Sequence, residues 1–428
     1  MTDVAAEQMA GDAGKTKSKW LTRQGLHSVN VTQAVKWSAV MVLWTVVVYA
    51  CLILHRPATS LVPSVTSPAL GFRGDPKSYN QRPPRPVEHV YYLKTHKTAS
   101  TTIYSILAEY CRSHGLLALL PSQIHINLMA PFHHSQVILE GNTSKYDMVF
   151  NHHVYDEHIF RYLHNDTFTF TTIREPFRHF ISSFTYFRDM EHFRYLRRIN
   201  TSNPLATFLS NPNKYEVRRY ASFTNNRQSV DLGFNLTHTF DDLSYIGHFI
   251  RQTEKRFDLI LITDYFHESL ILLRRTLHWA TEDILYYKKL ARKQQLNISK
   301  DTLERYRQQH KNFSTADIQL YNHFLPVFKE KMSAERGLLD EVKELEVVLE
   351  KVHAFCDRPH ARDQQLSIPP GKWSSEINIL YSKCKWLQLD EISFTKHLKT
   401  VRKFIFGKRS KKDHVSTAAN ITTTANIT

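Results

Sequence analysis

Short apolar runs separated by amphipathic stretches fill the middle of the chain. Val90-Tyr91-Tyr92-Leu93, Met148-Val149-Phe150, Phe168 to Ile173 and Leu259-Ile260-Leu261-Ile262 are the pattern of strands covered on both faces. Stretches of helical period follow them: Thr101 to His114, Asp156 to His164, Pro176 to Arg188 and His267 to Trp279. The alternation predicts an α/β fold, a parallel sheet flanked by helices, with ligands at the carboxyl ends of its strands. From Glu282 to Leu349 the pattern turns almost wholly helical and charged. Leu338, Val342, Leu345 and Val348 share one face there and predict a helix packed on the sheet rather than a coiled-coil partner site.

Upstream, Ser38 to Leu54 carries no charge, with Trp37 and Trp44 near one end and His55-Arg56 closing the other. About 17 apolar residues is the lower limit for crossing a bilayer, so this run predicts an N-terminal transmembrane helix. Residues 1–37 precede it and no small-residue cleavage site follows before Pro57, which favours an uncleaved anchor over a signal peptide. Lys15, Lys17, Lys19, Arg23 and Lys36 precede the span, against Arg56, Arg73 and Lys77 after it. N-x-S/T triplets begin after the span at Asn142, Asn165, Asn200, Asn235, Asn297, Asn312, Asn420 and Asn426, and before it only at Asn30. That imbalance points to a luminal carboxy-terminal body. The expected organisation is a cytoplasmic tail at 1–37, a signal anchor at 38–54, a Pro-rich stem at 55–88, a luminal domain at 89–405 and a disordered basic, then Thr-rich, tail at 406–428.

A formal net charge of +16 implies an anionic partner, and a luminal body excludes nucleic acid as that partner. The chain has only 12 glycines and neither G-x-G-x-x-G nor G-x-x-x-x-G-K, so any phosphate site is built without a glycine-rich loop. Four cysteines are too few for a disulfide framework, and their spacing suggests no structural zinc. Cys51 lies in the apolar run; Cys356 and Cys384 are the natural pair, leaving Cys111 as a buried thiol. Asp241-Asp242 lacks D-x-D spacing and reads as a helix cap rather than a metal site; no metal is expected. Arg194 to Arg198 and Arg218-Arg219 read as solvated helix faces.

Two stretches carry chemistry. Tyr92-Leu-Lys-Thr-His-Lys-Thr-Ala-Ser-Thr-Thr102 sits where a buried strand becomes a helix, and a helix start offers unpaired N–H groups to a phosphate. Lys97 adds a full charge, and Thr98, Ser100, Thr101 and Thr102 add hydroxyls. In the second stretch a strand ends at Arg174, Pro176 opens a helix, and Ser182 falls about two turns in, so Arg174 and Ser182 can reach one phosphate beside the first loop.

Here the sequence resembles the Golgi carbohydrate sulfotransferases. The form Leu93-Lys-Thr-His-Lys-Thr-Ala-Ser100 is similar to the galactose 3-O-sulfotransferase family, with Asn151-His152-His153, Arg174-Glu175-Pro176 through Phe187, Asp231-Leu232-Gly233, Phe257 to Ile260, Glu268 to Leu270, Trp279, Asp283 to Tyr286, Leu320-Tyr321 and Phe324 following in order. The likeness covers about residues 88 to 335. It implies a P-loop-NTPase-like sulfotransferase fold and a Golgi membrane enzyme, single-pass and type II. The donor it implies is 3′-phosphoadenosine 5′-phosphosulfate, held at its 5′ end by His96, Lys97, Thr98, Ala99, Ser100, Thr101 and Thr102 and at its 3′-phosphate by Arg174 and Ser182. The acceptor it implies is a galactose-containing glycolipid or glycoprotein glycan. Val154-Tyr155-Asp156 after the His pair and Asn225-Asn226 before Asp231 depart from the family pattern, which bears on the acceptor rather than the donor.

Sulfuryl transfer needs charge neutralisation at the leaving oxygen, a base for the hydroxyl and alignment of both oxygens. Lys97 suits the first task, and His152 or His153 the second; strand alternation lets only one point into the cleft, and His153 is preferred. The competing readings are a uronyl 2-O-sulfotransferase, which shares the donor loops, and a non-catalytic luminal glycan-binding protein. Intact Lys97, Arg174 and Ser182 speak against the last.

Overall fold

A computed structural model describes residues 85–127, 132–139, 145–190, 194–287 and 299–402. The predicted membrane anchor, nearly all of the stem and the tail lie outside them. No helix among the described residues is long and apolar enough to cross a membrane.

Four strands, β1 (Val90–Leu93), β2 (Met148–Val149), β3 (Phe168–Ile173) and β4 (Leu259–Ile262), form one parallel sheet in the order β2-β1-β3-β4. Every residue of β1 and β4 is buried, as the unalternating apolar runs require. The chain leaves β1 towards β2 on one side and leaves β3 towards β4 on the other. The gap between the carboxyl ends of β1 and β3 is therefore the topological switch point, where open α/β sheets bind ligands.

Helix α1 (Ser100–Ser113) follows β1 and buries Ile103, Ile106, Leu107 and Tyr110. Helix α2 (Pro176–Arg188) follows β3 with Pro at its first position, and Glu175 caps it by accepting from Phe177 N and Arg178 N. Short helix α3 (Arg227–Asp231) and α4 (Leu243–Arg256) precede β4. Asp242 accepts from Tyr245 N at 3.0 Å at the start of α4, so this aspartate is a helix cap, as its spacing predicts. Helices α5 (Phe266–Leu277), α6 (Lys300–Lys311), α7 (Thr315–Ala334) and α8 (Leu338–Cys356) complete the helical layers. The apolar stripe Leu338, Val342, Leu345 and Val348 of α8 is buried, and Arg274 and Arg275 of α5 pair with its buried Glu341. A second cluster of aromatic side chains, including Phe180, Phe184, Phe208 and Tyr306, fills the space beside α2 and α6.

Two elements differ from expectation. The stretch Asp156 to His164 is a 3₁₀ segment, Glu157–Tyr162, because Asp156 accepts from His158 N at one end and the Tyr162 carbonyl accepts from Tyr146 N at the other. Beyond α8 lie an antiparallel hairpin, β5 (Gln365–Ile368) with β6 (Ile377–Leu380), helix α9 (Tyr381–Gln388) and helical residues 391–402. Cys356 and Cys384 are disulfide-bonded and tie α9 to α8, while Cys111 is a free buried thiol.

Candidate active site

After Leu93 the chain turns back on itself before α1. Lys97 and Ala99 both have φ of 57°, while Thr98 between them does not. Alternating backbone hand turns successive N–H groups towards one concave side, an anion nest, and no side chain caps the first turn of α1. Two non-glycine residues in this region cost about 1 kcal/mol or more each, so the surroundings must hold them. Internal hydroxyls do this. Thr95 Oγ1 donates to the Thr172 carbonyl at 2.6 Å, Thr98 Oγ1 lies 2.7 Å from Thr95 Oγ1 and 2.9 Å from Thr172 Oγ1, and Thr263 Oγ1 donates to the Thr98 carbonyl at 2.9 Å. The Thr98 hydroxyl, expected to face a phosphate, is thus turned inward to lock the loop. Ser100 is buried, Thr102 is half-buried and Thr101 is exposed.

Arg174, at the end of β3, reaches this loop: its Nη1 donates to the Lys97 carbonyl at 3.1 Å. Gln228 holds its backbone on both sides, accepting from Arg174 N at 2.7 Å and donating to its carbonyl at 3.1 Å. Burial pulls the guanidinium below its ordinary pKa, and nearby Asp264 opposes that. Helix α2 lies along the same loop. His179 bonds through Nε2 to the His96 carbonyl at 2.9 Å, and the Lys97 ammonium stands 3.6 Å over the centre of the Tyr186 ring. Ser182, three residues past His179 and four before Tyr186, shares that face. His179 and Tyr186 fall inside the Arg174-to-Phe187 stretch but were given no role in the sequence, although their helical spacing from Ser182 is visible there.

The two histidines after β2 part company. His153 is 1% exposed, donates through Nδ1 to the Asn151 carbonyl and accepts at Nε2 from the buried Tyr91 hydroxyl, both at 2.8 Å. Burial pushes its pKa down to about 4. Both nitrogens of His153 are thus occupied in the core, and at 1% exposure against 9% it is the more enclosed of the two rings. His152 stacks on His96 with ring centres 4.2 Å apart, donates through Nδ1 to the Lys94 carbonyl at 2.8 Å and accepts at Nε2 from Lys94 Nζ at 2.5 Å. Burial, reinforced by the Lys94 charge, holds it well below the ordinary imidazole range. His96 in turn donates its amide and Nδ1 to Asp231, which is paired with the fully buried Arg227. Burial, with the Arg227 charge behind it, keeps His96 neutral.

Among the described residues one group, His89, Asp147 and His164, brings three metal-ligating atoms within 4.8 Å of one another. These residues stand just before β1, β2 and β3, at the opposite end of the sheet from Lys97.

A parallel sheet with a glycine-free nest and an arginine clasp at its switch point defines an α/β protein whose first loop has the form of an anion site. The comparisons give the class its family. The model of the family described as galactose-3-O-sulfotransferase matches residues 24–369, and the chain belongs to that family. It is 33% identical to galactose-3-O-sulfotransferase 2 of Mus musculus over 288 residues, 63% of this chain and 70% of the relative. It is 30% identical to galactose-3-O-sulfotransferase 3 of the same species over 362 residues, 78% and 83% of the two chains, and 31% identical to the mouse galactosylceramide sulfotransferase over 284 residues, 64% of each. No solved structure matches the chain.

Proposed function

We propose that this chain transfers a sulfuryl group from 3′-phosphoadenosine 5′-phosphosulfate to the 3-hydroxyl of galactose in glycolipid or glycoprotein glycans, as a single-pass type II enzyme of the Golgi membrane with a luminal body. The observation that carries this reading is the contact between Arg174 and the Lys97 loop at the switch point of a chain in this family.

When bound, the donor supplies a sulfuryl group whose bond to the bridging oxygen breaks as a bond to the acceptor oxygen forms. The nest at Lys97 to Ser100 suits the 5′ end, with Lys97 set by Tyr186 to neutralise charge on the leaving oxygen. Arg174 and Ser182 suit the 3′-phosphate. His152 Nε2 accepts the acceptor proton in this proposal; its Nδ1–H, committed to the Lys94 carbonyl, leaves the basic lone pair on Nε2. None of these roles requires a metal.

Two further observations support a luminal body. Asn165, Asn200, Asn235 and Asn312, the sequon asparagines among the described residues, are all exposed, and the Cys356–Cys384 bond suits an oxidising compartment. The test is an assay of the protein with radiolabelled donor against galactosides and uronic-acid glycans. Label on the galactose 3-hydroxyl is expected; label confined to uronic acid would replace this reading with the uronyl alternative.

A further inference from the structure

Lys94 directly follows β1 and is 1% exposed, a rare place for an ammonium. Its Nζ donates to His152 Nε2 at 2.5 Å and to Glu391 Oε2 at 3.1 Å. Glu391 comes from the far end of the chain, beyond residue 369 where the family match stops. Its segment is anchored by contacts of its own. The Tyr104 hydroxyl donates to the Glu391 carbonyl at 3.2 Å and lies 2.6 Å from Thr395 Oγ1, and the Cys356–Cys384 bond ties α9, which leads into the segment, to α8. The second carboxylate oxygen, Glu391 Oε1, is buried with no hydrogen-bond partner.

We propose that Glu391 is a positioning residue for sulfuryl transfer: its carboxylate anchors the Lys94 ammonium, and Lys94 grips the His152 ring at both nitrogens, by Nζ at Nε2 and by its carbonyl at Nδ1. The inference rests on His152 as the base.

Burial drives Lys94 towards losing its proton, and Glu391 opposes this. A charged Lys94 keeps His152 unprotonated in mildly acidic surroundings. The other titratable rings facing His152 are His96, stacked on it, and His125, edge-on at 5.4 Å; the Asp231–Arg227 pair stands behind His96. Catalysis requires that an acceptor hydroxyl take the place of the ammonium at Nε2. The unpartnered Oε1 of Glu391 gives the displaced ammonium a second acceptor, so it can yield its place without becoming a bare buried charge.

The experiment compares full-length wild type, Glu391→Gln, Glu391→Asp and His152→Ala by turnover against pH and by calorimetric binding of adenosine 3′,5′-bisphosphate. Glu391→Gln is expected to bind the bisphosphate within about twofold of wild type and to lose roughly tenfold in kcat at pH 6 with little change in donor KM. That is less than the ~10²–10⁴-fold of losing the base itself. The acid limb of its kcat/KM profile moves to higher pH, and Glu391→Asp, which keeps the carboxylate, moves it back. If His152→Ala is dead and Glu391→Gln keeps the wild-type kcat and limb, the inference fails while the base assignment stands. Full turnover in His152→Ala overturns the base assignment itself. Should Glu391→Gln not fold, Lys94→Met combined with Glu391→Gln leaves neither charge uncompensated and is expected to show the same displaced limb. An unmoved limb in that variant overturns the inference.

Discussion

Burial decides what the histidines of this protein can do. His153, His179 and His310 are held neutral, burial pushing them down to about 4, about 3 and about 3. In the unfolded chain each titrates near 6.5, so between about 6.5 and about 3–4 the unfolded state binds more protons than the folded one. Stability is therefore fully present above about pH 6.5 and lost as pH falls through that window. Buried Glu216 and Asp317, whose carboxyls burial pushes up to about 7 and about 6, oppose part of this, so denaturant midpoints should still decline from about pH 6.5 to about pH 4 but less than the histidines alone would give; a rise across that window refutes this. The same scale separates donor binding from chemistry. In the proposed assignment Arg174→Ala removes a charge-assisted phosphate contact worth about 1.5–3 kcal/mol and should weaken binding of adenosine 3′,5′-bisphosphate accordingly, read by calorimetry on folded protein. Lys97→Ala should lower kcat more than donor affinity, since its charge is matched to an oxygen that becomes anionic only as the S–O bond breaks. Equal loss in both would reduce Lys97 to a binding residue.

Among the elements, those buried on both faces were legible in the sequence, because unbroken runs such as Leu259 to Ile262 have no other stable use in an α/β chain. The two loops at the switch point were legible for a related reason: each follows such a strand and opens a helix. What the sequence hides is which way a side chain turns once the strand has ended. β2 stops at Val149, so no alternation governs His152 and His153, and it is the Tyr91 hydroxyl that claims one ring and Lys94 the other. The β5–β6 hairpin was visible in principle, through Leu366, Ile368, Ile377 and Ile379 alternating around Pro369-Pro370-Gly371, but its strands are only four residues each. Glu391 could not have been found, since nothing local ties a C-terminal glutamate to a lysine after β1. The disulfide that steadies this C-terminal region closes a loop with a sequence separation of 28 residues, which the chain-entropy account values at about 3–4 kcal/mol. Cys384→Ser should lower the unfolding free energy by about that amount in equilibrium denaturation. An unchanged midpoint would show that packing of α9 against α8 suffices without the bond.

At the scale of the whole molecule, the proposed function asks a basic chain to capture an anionic donor. The net charge of +16 belongs to the whole chain, with part of it in the amino-terminal stretch and the basic tail; the positive excess left on the body should favour capture of the proposed anionic donor and make it sensitive to salt. Where that body sits relative to the membrane is a matter of orientation. The charge-free run 38–54, the basic residues before it and the sequons after it all favour a luminal body, and each sequon asparagine that the structure describes stands at the surface, where a glycan can be attached. A luminal body makes a two-part prediction for protein expressed in cells. Glycosidase treatment should increase its mobility on a gel, and protease added to intact vesicles should leave the glycosylated body protected while removing only the short amino-terminal tail. Permeabilising the vesicles should then expose the body to digestion. Loss of the body in intact vesicles would reverse the orientation and place the site out of reach of luminal glycans.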